Sequence, residues 1–200
     1  MGRRRRVHVT LVLPPEPPTQ EEIDAVLMAT DAVIGQAGRS GVTLILNGSR
    51  SKKALRWDWN ELPDYGRLDH LTADEITHKI DWCIHNNWLS LEHNRDGIPL
   101  LYHAPKGWER VKQLWVERLL GRFEAWQAAG DPDAVWPAMK TIHPEIKELL
   151  VDRIAEEGRR DLAPVLRAWF PHDVRKARRG INRTLQALGL RPIPHARATG

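Results

Sequence analysis

Leu46-Asn47-Gly48-Ser49-Arg50-Ser51-Lys52-Lys53-Ala54-Leu55 is the stretch on which the reading of this chain turns. Asn47 to Lys53 holds one glycine, two serines and three cations, directly after the apolar run Val42, Leu44, Ile45, Leu46. Between Ala32 and Trp57 there are five Lys/Arg and no Asp or Glu. Small hydroxyl side chains and backbone N–H groups beside a helix start, ringed by cations, suit an anion such as a phosphate. The same residues would also suit a solvated cationic loop between two helices. The flanking elements decide between the two.

Upstream, Thr19 followed by Glu22 is a capping box that opens a helix through Ile23, Val26, Leu27 and Val33, closed by the glycines from Gly35 to Gly41. Gly41–Leu46 is then a short helical turn entering the basic loop. Downstream, Ala54–Glu61 reads as a helix ending near Pro63, and Asp64–Leu68 as a turn. Thr72 and Glu75 form a second capping box, and Ile76, Ile80, Cys83 or Ile84, and Trp88 make one apolar stripe. Leu89–His93 and Ile98–His103 alternate around Asn94-Arg95-Asp96-Gly97, a hairpin signal. A long helix from about Gly107 to Gln127 follows. Three helices and then a hairpin is the order of a winged helix, a helix-turn-helix variant that holds DNA with a helix and the hairpin.

The ends read differently. Arg3–Arg6 precede Val7–Leu13, which alternates like a short strand and runs into a stiff Pro14–Pro18 linker. Past Gly130, the segments Val135–Lys140, Pro144–Glu157, Leu162–Phe170 and Val174–Leu188 read as short amphipathic helices, similar in pattern to a HEAT-type helix pair. Residues 191–200 read as a disordered tail. The expected organisation is a basic tail, strand and linker (1–18), a winged helix (19–128), a small helical domain (129–190) and that tail. The fold class is mainly α with one β-hairpin.

Net charge is +4, but residues 1–139 carry −2 and residues 140–200 carry +6. Separated basic zones at Arg3–Arg6, Arg39–Arg56 and Arg175–Arg197 favour a polyanion over a small acidic substrate. The single Cys83 excludes an intrachain disulfide and fits a reducing cytoplasm. No apolar run approaches a membrane span, so no membrane partner is expected.

The ordered set from Gly35 to Glu109 resembles the RQC domain, the winged helix on the C-terminal side of RecQ-type helicases. The pieces are Gly38-Arg39-Ser40-Gly41, Leu46–Lys53, Tyr65-Gly66, the capped helix Thr72–Trp88, the hairpin, and Ala104-Pro105-Lys106-Gly107. In particular it resembles the small bacterial RQC-like proteins (RQC-minor) that stand alone without helicase motors. The resemblance implies DNA binding in repair or recombination, with Ser49, Ser51 and Lys53 gripping duplex phosphates and Gly48 allowing close backbone approach. Asn47 stands where the family often has arginine. Some RQC domains wedge base pairs apart with an aromatic hairpin tip; here the tip has none, leaving Arg95 as a backbone contact.

Charge adds Arg50 and Lys52, and proximity in the pattern adds Arg39 and Ser40. Arg175, Lys176, Arg178 and Arg179 form a possible second basic surface. Core packing is expected for Trp82, Trp88, Trp108, Trp115 and Trp126. Trp57 and Trp59 alternate with charges, with burial under the loop expected and exposure of one the alternative. His70, His78, Cys83 and His85 lack the spacing of a metal site, and Asp64, Asp69, Asp74 and Asp81 specify no Mg²⁺ chemistry. No nucleophile elbow or phosphate-binding Walker loop is present, so no catalytic residue, cofactor or metal is expected. The expected partner is duplex or branched DNA. The alternatives are an adaptor for a helicase or nuclease and a winged-helix transcriptional regulator.

Overall fold

The computed structural model describes residues 7–194. The basic tail Arg3–Arg6 and the end of the chain beyond 194 lie outside the described residues. The chain divides into two compact units, Met1–Val111 and Lys112–Gly200. The break falls inside the long helix, short of the boundary near 128 expected from Gly130.

The first unit is built on α1 (Gln20–Ala32), α2 (Arg39–Leu46), α3 (Lys52–Arg56), α4 (Ala73–His85), the strands β1 (Leu89–His93) and β2 (Pro99–His103), and the start of α5 (Pro105–Ala129). Both expected capping boxes form: Thr19 and Thr72 accept from the N–H of Glu22 and Glu75, whose carboxylates return to the cap N–H. Ile23, Val26, Leu27, Val42, Ile45, Leu46, Ile76, Ile80 and Cys83 bury the facing stripes of α1, α2 and α4. The strands pair antiparallel from Leu89↔His103 to His93↔Pro99, and Leu89 and Leu101 close the core from the hairpin. One buried carboxylate ties α5 to α1: Asp24 takes both Nε (2.9 Å) and Nη2 (2.6 Å) of Arg110.

Three local readings change. Residues 7–14 form no strand: no ladder of backbone bonds joins them to the two-stranded hairpin. They are held instead by single bonds: Val7 N–H to the Gly97 carbonyl (3.1 Å), and Val12 N–H to Asp81 Oδ2 (2.9 Å). Arg39 and Ser40 belong to the start of α2 rather than to the end of the first helix. Gly38 caps that start in extended conformation, and a Cβ there would lie 2.4 Å from the Pro99 carbonyl oxygen. Only glycine lets α2 begin against β2. Finally, the helix expected over 54–61 stops at Arg56, because Asp58 takes a left-handed conformation (φ 52°) and a 3₁₀ turn Trp59–Glu61 follows.

The second unit holds the rest of α5, then α6 (Val135–Met139), α7 (Pro144–Glu156), α8 (Ala163–Trp169) and α9 (Arg175–Ala187). These agree with the expected helices to within a residue or two. Pro and Gly break the chain where the amphipathic stripe ends. Phe123, Leu150, Ile154, Leu166, Trp169, Ile181 and Leu185 are buried. Helices α7 and α9 pack face to face, with the Thr184 hydroxyl donating to the Val151 carbonyl at 2.8 Å. Residues 191–194 of the expected tail are tied to the unit: Ile193 exchanges bonds with the Asn182 side chain (2.8 and 3.0 Å), and Arg167 donates to the Arg191 carbonyl (2.8 Å). Among the described residues no helix is long and apolar enough to cross a membrane.

Candidate nucleic-acid interface

Helix α2 ends in a Schellman motif. Gly48 N–H donates to the Ile45 carbonyl (3.1 Å) and Ser49 N–H to the Leu44 carbonyl (3.0 Å), with Gly48 left-handed at φ 67°. The turn beyond Asp64 docks on the same helix end: Gly66 N–H reaches the Ile45 carbonyl (2.8 Å), and Leu68 N–H the Leu46 carbonyl (2.9 Å). A Cβ on Gly48 would stand 3.2 Å from Gly66 Cα. Gly48 thus allows the end of α2 and the turn at Gly66 to approach closely. Asn47 joins it through Nδ2 to the Leu71 carbonyl (2.8 Å).

From this fixed point the chain enters α3. Ser51 is the N-cap, its Oγ accepting from Ala54 N–H (3.2 Å), and Ser49 Oγ accepts from Ser51 N–H (3.3 Å). Each hydroxyl therefore accepts from the backbone and keeps its own proton to donate. The N–H groups of Lys52 and Lys53 take no partner within the described residues. Arg50, Lys52, Lys53 and Arg56 are exposed, and among the described residues none has an acidic partner. Two hydroxyls, two N–H groups and four cations on one capped turn can hold a phosphate with no opposing carboxylate.

The wing faces the same region. A cleft is lined by Ser40 and Arg39 of α2, Lys53 of α3, Asn94 of the hairpin turn, and Val7 and His8 of the amino-terminal segment. Asn94 Oδ1 accepts from both Asp96 and Ile98 N–H (2.9 and 3.0 Å), which stiffens the turn that displays exposed Arg95. Arg39 stands apart from the other candidates. Its Nη1 is 2.6 Å from Asp81 Oδ1, a carboxylate only 1% exposed, and also donates to the Thr10 carbonyl at 3.1 Å. Its charge is offset within the fold, and it pins the amino-terminal segment to α4.

The second basic cluster is divided. Lys176 pairs with Glu148 (2.8 Å). Arg178 donates to the Asp173 and Pro171 carbonyls (2.7 and 2.8 Å) and lies over the Phe170 ring, so it clamps the turn before α9. Arg175 and Arg179 are exposed and, among the described residues, have no acidic partner. Arg178 thus serves the fold, while Lys176 is paired at the surface with its side chain 69% exposed.

Among the described residues no three His, Cys, Asp or Glu side chains gather as metal ligands. Burial pushes the Cys83 thiol up to about 12, so it stays protonated and unreactive. Asp81 is committed to Arg39, and Asp64 to Arg67 at 3.1 Å. Sequence reasoning left one cation, Arg56, out of the loop surface and did not settle which of two tryptophans joins it. Arg56 was visible as the i+4 neighbour of Lys52 on α3. Trp57 is 60% exposed while Trp59 is buried, so the alternative of one exposed ring holds over burial of both. Alternation with charges carried no signal as to which ring would turn inward.

The RQC domain family model matches residues 19–114. The chain is 30% identical over 112 residues to the ATP-dependent DNA helicase RecQ of Bacillus subtilis (strain 168), which is 54% of this chain and 18% of that helicase. The chain therefore spans less than a fifth of that relative's length. No solved structure matches it. The matched segment takes in the two capping boxes, the Schellman end of α2, the hydroxyl-capped α3 and the hairpin: residues 19–114 of this chain are an RQC domain.

Proposed function

We propose that this chain binds duplex or branched DNA through phosphate contacts of its winged helix. The RQC domain and the similarity to a DNA helicase support a DNA-binding role in general. The observation that carries the finer reading is the start of α3. There Ser49, Ser51, Lys52 and Lys53, with Arg50 and Arg56, form an exposed, acid-free surface in which each hydroxyl retains a donor.

Arg95 and Ser40 extend that surface along the cleft to the wing. Arg39 is left out, because Asp81 already holds its charge. The four arginines Arg3–Arg6 of the basic tail add sequence-independent affinity. With no aromatic residue in the hairpin turn Asn94–Gly97, the wing holds DNA rather than prising it open. The proposal extends to a role in repair or recombination, alongside a helicase or nuclease, with the similarity to a RecQ helicase as its support.

Binding titrations at several salt concentrations against duplex, forked, four-way-junction and single-stranded DNA of one sequence test the reading. Tighter binding to the duplex-containing forms, with affinity falling steeply and linearly on a log–log salt plot, is expected. A flat salt dependence, or equal affinity for all four, would contradict it. Retention of the chain on a purified RecQ-type helicase after nuclease treatment would favour the adaptor role instead.

A further inference from the structure

Of the nine tryptophans, all within the described residues, Trp57 alone is exposed; Trp59 and Trp169 are buried and the other six are half-buried. An uncovered indole beside a run of exposed cations asks for a ligand of matching chemistry. On the wheel of α3, Ala54 is buried and the opposite arc runs Leu55, Lys52, Arg56, Lys53, Trp57. Three cations thus lie between two exposed apolar side chains, Leu55 at 50% and Trp57 at 60%.

The ring is displayed on a fixed support. Trp57 caps α3, its N–H donating to the Lys53 carbonyl at 3.3 Å, and the left-handed Asp58 turns the chain sharply after it. Trp59 then anchors the turn in the core, with the Lys53 ammonium 5.5 Å from its ring centroid. Asp58 is the only acid between Ala32 and Asn60.

A flat π-face beside phosphate-binding cations is the arrangement that takes a nucleobase, since stacking tolerates any base and the backbone is held alongside. We propose that Trp57 stacks on an unpaired or terminal base of DNA, so that this surface selects branch points and ends over continuous duplex. The proposal rests on the reading of α3 as the phosphate grip. It places the aromatic contact on α3 rather than on the wing.

The test uses the full chain and three DNAs: a fork with 2-aminopurine at the first unpaired position, the same fork unlabelled, and a relaxed covalently closed duplex circle. Trp57→Ala is expected to bind the fork about tenfold more weakly with an unchanged salt slope, and the circle as wild type does. Wild type and Trp57→Phe are expected to quench the 2-aminopurine, and Trp57→Ala to leave it bright. Equal loss on fork and circle, or no loss on either, would overturn the proposal. If Trp57→Ala has no effect while Lys52→Ala/Lys53→Ala still weakens binding, stacking alone is overturned. Absence of DNA binding by wild type would overturn both readings.

Discussion

Gly107→Ala is expected to destabilise the first unit by about 3 kcal/mol or more. A Cβ at position 107 would lie 1.9 Å from the Trp88 carbonyl oxygen and 2.9 Å from its carbon. Both are backbone atoms at the entry to the hairpin, and neither is free to move. The Trp88 carbonyl accepts from Ala104 N–H at 3.1 Å, while Trp88 N–H is held by the Cys83 carbonyl at 2.9 Å. Relief requires α5 to lift from the base of the wing, separating elements that bury Leu89 and Val111. Gly121 sits in the same helix with nothing within 4 Å of its would-be Cβ. Gly121→Ala should therefore be neutral or stabilising, by up to about 1 kcal/mol from helix propensity. Urea midpoints followed by circular dichroism separate the two; matching midpoints for both variants would refute the close-packing argument.

Asp173→Ala is expected to cost the second unit about 3–5 kcal/mol at neutral pH. The carboxylate is 3% exposed and collects three donors: Lys147 Nζ at 2.6 Å, Trp169 Nε1 at 2.7 Å and Val174 N–H at 2.7 Å. Removing it strands a buried indole N–H and an ammonium that is only 11% exposed. Burial alone would raise the Asp173 carboxyl, but these three hydrogen bonds outweigh it and hold the group below the usual carboxylate range. With the folded value below the unfolded one, the stabilisation is fully present above the unfolded value, about 3.9. It is lost as pH falls through the lower, folded value. Wild type and Asp173→Ala should thus differ widely in urea midpoint at pH 7 and converge in strong acid. A gap that is constant from pH 7 into acid would show that the carboxylate's charge contributes nothing.

Much of the fold was legible because its signals are local. The capping boxes at Thr19/Glu22 and Thr72/Glu75, and the Asn94–Gly97 turn, each lie within four residues. In the second unit Pro144 and Gly158 frame α7, Pro164 and Pro171 mark the two ends of α8, and Gly189 follows α9. What could not be read depends on partners distant in sequence. The alternation of Val7–Leu13 resembles a strand, yet its holding groups, Asp81 and Gly97, come from α4 and the wing. Arg39 looked like a free cation because Asp81 lies 42 residues away.

The candidate site shows the same split. Ser49 to Lys53 could be read as one cluster, since its hydroxyls, cations and N-cap are contiguous. That Asn47 and Gly48 serve the turn at Gly66 to Leu71, and that Trp57 rather than Trp59 faces solvent, are products of tertiary packing.

The most direct test compares the salt dependence of duplex binding by wild type and by Lys52→Ala/Lys53→Ala. Both lysines are exposed and have no acidic partner among the described residues, so the variant should fold normally by circular dichroism. If α3 is the phosphate grip, the variant binds more weakly, with a log–log slope shallower by about 0.9 for each phosphate it no longer neutralises, close to 2 in all. A folded variant whose affinity and slope both match wild type would contradict that role for α3.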